Sequence, residues 1–269
     1  MYIIGIGPGS PEHLSGRALG ILKDVETVVG YKTYIDLILP IVAGKEIIST
    51  GMTREVERVA AAIDAALAGK TCAIVSSGDP GIYAMAGLVL EMCQQRKLSI
   101  SPARIQDAGE EDGTGLKIEV VPGIPALGSG AALLGAPLTH DFAAISLSDL
   151  LTPWRVIEER LEAAARADFV IVLYNPKSKR RNKNLEKAQQ IVLRHRRENT
   201  PVGIVVGATR SNQSVHIVSL KDLHTAQVDM QTTLFIGNTA TTTYRNFMIT
   251  PRGYANKYSL QDIEAEKQN

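Results

Sequence analysis

Apolar runs of strand length recur in the first half of the chain, at Tyr2–Ile6, Thr27–Val29, Glu46–Ser49, Thr71–Val75 and Lys117–Val121. The stretches between them change period. Val56, Val59, Ile63 and Leu67 repeat at three- and four-residue spacing, with Thr53 as the expected cap ahead of Arg54 and Glu55. Strand–helix alternation of this kind predicts a mostly parallel sheet covered on both faces. A second series follows Pro122, with strands expected at Ala143–Leu147, Phe169–Leu173, Val202–Val206, Val215–Val218 and Thr232–Ile236. Its helices should run from about Trp154 to Arg166 and from about Asn184 to Arg196. The fold class is therefore α/β in two halves, residues 1–121 and 122–258, followed by a tail at 259–269. Ser101 to Gly115 interrupts the pattern with Asp107, Glu110, Glu111 and Asp112, and reads as an exposed, mobile loop.

Composition changes this picture little. The 269 residues are 45% hydrophobic and 21% charged, as expected of a globular protein with a sizeable core. A formal net charge of +1 supplies no global field for nucleic acid or a membrane surface. Cys72 and Cys93 fall in apolar segments without a Cys-x-x-Cys pair, which predicts buried free thiols and no metal site. With no basic region ahead of the first apolar residues, no signal peptide is expected and the cytoplasm is the expected compartment. Val120–His140 is uncharged and long enough to span a bilayer, but three prolines and four glycines argue instead for a buried turn and a short helix of small residues.

In such sheets ligands bind beyond the carboxyl ends of strands, so the informative loops follow strands. Gly5-Ile6-Gly7-Pro8-Gly9 follows the first one. The dinucleotide fingerprint needs a third glycine where this chain has Ser10, and the second strand offers no carboxylate for a ribose, so NAD is disfavoured. Gly69-Lys70-Thr71 fails as a phosphate loop because Asp64 stands where a glycine is required. Ser76–Tyr83 contains the tight turn Gly78-Asp79-Pro80-Gly81, whose carboxylate either meets a ligand or merely caps backbone amides. Val121–Ala126, Tyr174-Asn175-Pro176 and Gly207-Ala208-Thr209, complemented by Leu234–Asn238, complete a set rich in backbone groups and poor in charge.

Three of these strings, Gly5-x-Gly7-Pro8-Gly9, Gly78-Asp79-Pro80-x-x-Tyr83 and Pro122-Gly123-Ile124, resemble the signature loops of the tetrapyrrole methylases. Further strings resemble one branch, the ring-contracting precorrin-3B C17-methyltransferases of cobalamin synthesis: Gly30–Tyr34, His140-Asp141-Phe142, Ser146–Trp154, Tyr174-Asn175-Pro176-x-Ser178 and Ile249–Tyr254. The matching strings run from Tyr2 to Tyr254. Ala84 replaces the glycine usual after Gly-Asp-Pro-x-x-Tyr, and 101–115 is longer than the family pattern. The resemblance implies a two-domain tetrapyrrole methylase fold of the class III methyltransferases, each half a mixed sheet with helices. It also implies a homodimer, a tetrapyrrole substrate in a trough of the N-terminal half, and S-adenosylmethionine between the halves, released as S-adenosylhomocysteine. Carried onto this chain, the cofactor contacts are Pro8, Gly78, Asp79, Ile82, Pro125, Ala126, Asn175, Ala208 and Ile236. A sibling methylase of other regiochemistry and a non-catalytic tetrapyrrole carrier stay open as alternatives.

Ring contraction needs a proton moved at the C20 oxygen substituent, so an acid–base group should be present. His140, Asp141 and Asp149 are the candidates, and a structural turn or a helix cap is the rival reading of each. The acetate and propionate groups of such a substrate call for cations. Arg54, Arg58, Lys32 and Lys177 are the expected ones, the last opening the run Lys177–Lys183, with Tyr31 and Ser146 lining the same substrate. A solvated loop is the plain reading of the basic run, and nucleic acid a poor one, since no aromatics interleave.

Overall fold

The computed structural model describes residues 1–103, 115–178 and 183–260, and the chain divides into two units. One contains Met1–Ser129 with Ala208–Ser211, the other Gly130–Gly207 with Asn212–Asn269. The division falls after Ser129, further along than the expected 121/122, and it returns a four-residue segment to the first unit.

In the first unit, strands alternate with helices in chain order: β1 (Tyr2–Gly5), α1 (Gly16–Asp24), β2 (Thr27–Tyr31), α2 (Lys32–Ile38), β3 (Glu46–Thr50), α3 (Glu55–Leu67), β4 (Cys72–Ser76), α4 (Met85–Gln95), β5 (Ile100–Pro102) and β6 (Leu116–Val121). The strands form one sheet in the order β3-β2-β4-β1-β6-β5, and each pair is parallel. The period of two in a strand sorts its side chains. Ile4, Val28, Ala73 and Val75 pack with Ala18, Ile21, Leu22, Ile35 and Ile38 of α1 and α2. Ile3, Val29, Cys72 and Ile74 face the other way, onto Val59, Ala62 and Ile63 of α3 and Val89 and Cys93 of α4. Both cysteines are buried and free, and burial pushes the Cys72 thiol up to about 11.

Two expectations are corrected here. Thr53 does not cap α3: its backbone is left-handed, with φ of 65°, and its hydroxyl turns back to donate to the Met52 carbonyl. Arg54 occupies the cap position with no side-chain bond. The mixed sheet expected of each half is found only in the second unit, because every strand-to-strand connection in the first that passes through a helix returns the chain in the same direction.

α5 (Ala126–Leu134) leads into the second unit, which continues with β7 (Gly135–Ala136), β8 (Phe142–Ser146), α6 (Trp154–Arg166), β9 (Val170–Tyr174), α7 (Asn184–Leu193), β10 (Pro201–Val206), β11 (Ser214–Ser219), β12 (Thr232–Ile236), β13 (Thr242–Tyr244) and β14 (Phe247–Ile249). The main sheet runs β11-β10-β12-β9-β8, with β8 and β9 parallel and the other pairs antiparallel. One face packs on Ile157 and Leu161 of α6 and on Leu185, Ala188 and Val192 of α7. On the other, Gly130 lies against the Phe235 ring and Leu134 against Gly203. The small residues of Val120–His140 are thus used for close helix–sheet packing, and among the described residues no helix is long and apolar enough to cross a membrane. Trp154 is half-buried against the second core, with the Lys187 ammonium 5.2 Å from its ring centre.

Candidate functional site

β4, β1 and β6 are neighbours in the parallel sheet, so the three glycine turns that follow them emerge side by side. They cross at van der Waals contact. Gly7 donates to the Gly78 carbonyl at 3.1 Å and Gly78 to that of Gly7 at 2.7 Å. A Cβ on Gly5 would stand 2.5 Å from the Gly78 oxygen and 2.7 Å from the Gly123 nitrogen, so no side chain fits there. Asp79 joins the turns: its Oδ1 accepts from Gly81 N at 2.8 Å and its Oδ2 from Gly123 N at 3.1 Å. Both oxygens are committed to backbone amides, which favours the capping role over direct ligand contact. Ile82 follows in the same loop, its amide donating to the Asp79 carbonyl. Pro125 and Ala126 open α5, and a Cβ on Gly78 would sit 3.5 Å from the Pro125 Cα. With S-adenosylhomocysteine as the ligand the family resemblance implies, Asp79→Ala should therefore weaken binding about 10- to 100-fold by releasing the Gly123 turn, since hydrogen bonds to a charged group contribute about 1.5–3 kcal/mol. Calorimetry checks this, and unchanged affinity would leave Asp79 as a local turn residue only.

The 208–211 segment completes this end of the first unit. Thr209 Oγ1 accepts from Ser10 N at 3.1 Å, and Arg210 donates from Nε to the Pro8 carbonyl at 2.8 Å and from Nη2 to Ser77 Oγ at 3.0 Å. Ala208 directly precedes Thr209 and Arg210 in the chain. Neither Arg210 nor Ser77 carries a local sequence signal for this role. Tyr83, Asn175 and Thr209 all hold positive φ (52°, 52° and 63°), a conformation costly for a side-chain-bearing residue and typical of functional loops.

Of the expected substrate cations, Lys32 pairs with Asp36 at 2.9 Å and Arg54 with Glu57 at 2.6 Å, each on an exposed helix surface. Such pairs are worth about 0–1 kcal/mol and can be exchanged for a ligand. Arg58 is different. It is 4% exposed, and its guanidinium donates to Thr50 Oγ1, the Gly51 carbonyl and Met85 Sδ. It also lies over Tyr31, 5.8 Å from the ring centre, and so is no rim residue.

The second unit separates its candidates. β8, β9 and β10 all run one way, because β12 between β9 and β10 is antiparallel to both. Their carboxyl ends bring Ser146, Asn175 and Gly207 to one end of the sheet. Asn175 Nδ2 donates to Ser146 Oγ at 3.0 Å, and Ser148 N donates to the same oxygen at 3.2 Å. Asp149 is exposed a residue further on, beside Leu150 and Leu151, which are 76% and 93% exposed. His140 and Asp141 precede β8 and lie at the opposite end, where the Asp141 carbonyl accepts from Val170 N. They bond each other, with Asp141 N donating to His140 Nδ1 at 2.8 Å. Ile236 also lies at the far end: the reversed β12 pairs it with Ile171 near the start of β9, and its side chain is fully buried in the core. The structure therefore does not unite Ile236 with Asn175, nor His140 and Asp141 with Asp149. Lys177 lines an open groove of about 630 Å³ floored by Ile204, Val206 and Val218, while Lys179, Arg180 and Arg181 lie outside the described residues. Among the described residues no cluster of His, Cys, Asp or Glu could hold a metal ion.

The sequence model of the family described as Tetrapyrrole (Corrin/Porphyrin) Methylases matches residues 1–224. The chain is 47% identical over 98% of its length to a cobalt-factor III methyltransferase of Priestia megaterium, of which it spans 47%. It is 45% identical over 94% of its length to a probable cobalt-factor III C(17)-methyltransferase of Salmonella typhimurium, covering 99% of that protein. The crystal structure of the methyltransferase CobJ superposes with a TM-score of 0.81 at 33% identity, over 93% of this chain and 98% of that one. Glycine turns crossed at the ends of parallel strands, a second unit with a mixed sheet and a match that runs through both agree on one conclusion: the chain belongs to the tetrapyrrole methylases.

Proposed function

We propose that the chain methylates C17 of a corrin precursor, precorrin-3B or cobalt-factor III, at the expense of S-adenosylmethionine, and contracts the macrocycle in cobalamin biosynthesis. The observation that carries this reading is the crossing of the Gly5–Ser10, Ser76–Tyr83 and Val121–Ala126 turns, which packs backbone groups around small residues. That donor set suits the cofactor: amides and carbonyls for its amino-acid end, apolar surface for its adenine, and no charged phosphate cradle. When bound, S-adenosylmethionine supplies a sulfonium methyl whose leaving group is a neutral thioether.

Positioning is the chain's main contribution to that transfer, because an electron-rich pyrrolic carbon needs no strong base. Pro8, Gly78, Ile82, Pro125, Ala126 and Ala208 are the proposed cofactor residues of the first unit, with Asp79 holding their turns together, and Asn175 is that of the second. Contraction is a proton-transfer problem and needs a side chain. Asp149 takes that role ahead of His140 and Asp141, because it follows the carboxyl end of β8, where Ser146 accepts from Asn175. The exposed Leu150 and Leu151 beside it offer apolar surface to a flat macrocycle. The homodimer and the cytoplasmic location are part of the same reading.

Incubation with S-adenosylmethionine and either metal-free or cobalt-containing precursor, followed by mass spectrometry, tests it. The expected product carries one more methyl group, with one S-adenosylhomocysteine formed for each. Retention of an unchanged tetrapyrrole without S-adenosylhomocysteine would make the chain a carrier.

A further inference from the structure

Among the described residues three arginines are buried or half-buried, Arg58, Arg196 and Arg210. Arg196 answers to a carboxylate, Asp168, at 3.1 Å. Arg58 and Arg210 do not. Their partners among the described residues are two carbonyls, two hydroxyls, a thioether and an aromatic face, all neutral. A guanidinium cannot shed its proton, so the buried Arg58 remains a full charge out of bulk water, which is costly without compensation, and the half-buried Arg210 a partly desolvated one.

Both charges lie at the same edge of the first unit. Arg58 spans Thr50 and Gly51, at the carboxyl end of β3, and Tyr31, at that of β2. Arg210 spans Pro8 and Ser77, beyond the carboxyl ends of β1 and β4. The four strands are consecutive in the sheet, so the two cations lie beyond the same row of carboxyl ends. Tyr34 lies within reach of both: burial pushes its phenol up, while the charges of Arg210 and Arg58 pull against that shift. Arg210 is half-buried, and its Nη1 has no partner among the described residues. Gly9 is shaped to receive it, since a Cβ there would stand 2.6 Å from the Arg210 Cγ.

Resting on the methyltransferase reading, we infer that Arg210 holds a carboxylate of the macrocyclic substrate through its uncommitted Nη1. The buried Arg58 adds to the positive field behind it as a positioning residue. The 208–211 segment is then the piece that brings a substrate cation to the first unit, with Nε and Nη2 fixing the plane of the guanidinium so that one edge stays available.

The probe is uroporphyrin III, a polycarboxylate macrocycle titrated by absorbance, with S-adenosylhomocysteine titrated by calorimetry. Arg210→Gln should raise the porphyrin Kd at least about tenfold, as expected for a lost charged hydrogen bond. It should leave the S-adenosylhomocysteine Kd within about twofold, and Arg210→Lys should restore part of the porphyrin affinity. An unchanged porphyrin Kd overturns the proposal. A selective loss of S-adenosylhomocysteine moves the carboxylate to the cofactor and overturns it as well, as does loss of both ligands, which would make Arg210 a loop brace. Phenylglyoxal labelling of the unaltered protein keeps the test independent of folding: the porphyrin, and not S-adenosylhomocysteine, should protect Arg210. Wild-type protein that binds neither ligand would count against the methyltransferase reading itself.

Discussion

Gly123→Ala should abolish S-adenosylhomocysteine binding and lower the melting temperature by roughly 5–10 °C. The new Cβ would lie 2.2 Å from the Gly78 oxygen and 2.7 Å from the Gly5 carbonyl carbon and oxygen. Each of these atoms is backbone, so no flexible side chain can swing aside. Overpacking costs about 1–3 kcal/mol, and a clash against two crossed turns belongs at the upper end. At roughly 2–4 °C per kcal/mol for a domain of this size, the melting shift follows. Binding suffers more than stability, because the turns pushed apart are those proposed to hold the cofactor. Gly87→Ala is the control: nothing lies within 4 Å of its Cβ, and alanine is the better residue inside α4. Normal affinity and normal melting in Gly123→Ala would mean that the crossing is loose and the turns are not the site.

That crossing was partly legible in the sequence. Glycine and proline after an apolar run mark a turn, and repetition of the pattern after β1, β4 and β6 marks a ligand edge. Strands β8, β9, β10 and β12 were visible because apolar runs of that length, bounded by polar turns, match a buried strand. The two helices α1 and α2 were not. Gly16 and Gly20 dilute the periodicity of α1, and α2 is a seven-residue helix rich in aromatic and β-branched positions. Strands of two or three residues, such as β7 and β13, carry too little pattern to detect.

Strand direction decides which candidates the second unit brings together. An apolar run does not reveal whether its strand is parallel or reversed, so the end of the sheet reached by β12 is not legible in the sequence. The antiparallel register places Ile236 beside Ile171. Arg210 escaped notice for a related reason. Its bond to Pro8 joins residues 202 apart in sequence, and nothing local in Gly-Ala-Thr-Arg separates it from an ordinary surface cation.

Strand direction also decides how the two reactions should come apart. Asp149 follows the carboxyl end of β8, and His140 precedes its amino end. Five residues of strand, at roughly 3.3 Å per step, hold the two ends of β8 about 13 Å apart, which argues against the two serving one proton transfer. Asp149→Asn keeps the shape of the side chain and removes its basicity. It should still consume S-adenosylmethionine at close to the normal rate, because methyl transfer depends on positioning. The macrocycle should then accumulate methylated at C17 and uncontracted, with contraction slowed by about 10²–10⁴, the usual worth of a placed acid–base group. His140→Ala should give contracted product normally, since its Nδ1 faces the amide and carboxylate of the neighbouring Asp141 at the opposite end of β8. Single-turnover mixing with product analysis by mass spectrometry separates the two steps. Contracted product at the normal rate from Asp149→Asn would exclude Asp149. Its loss in His140→Ala instead would put the proton transfer at the amino end of β8. Loss of methylation and contraction together in Asp149→Asn would assign the carboxylate to holding the substrate, because a group acting only in the second step cannot slow the first.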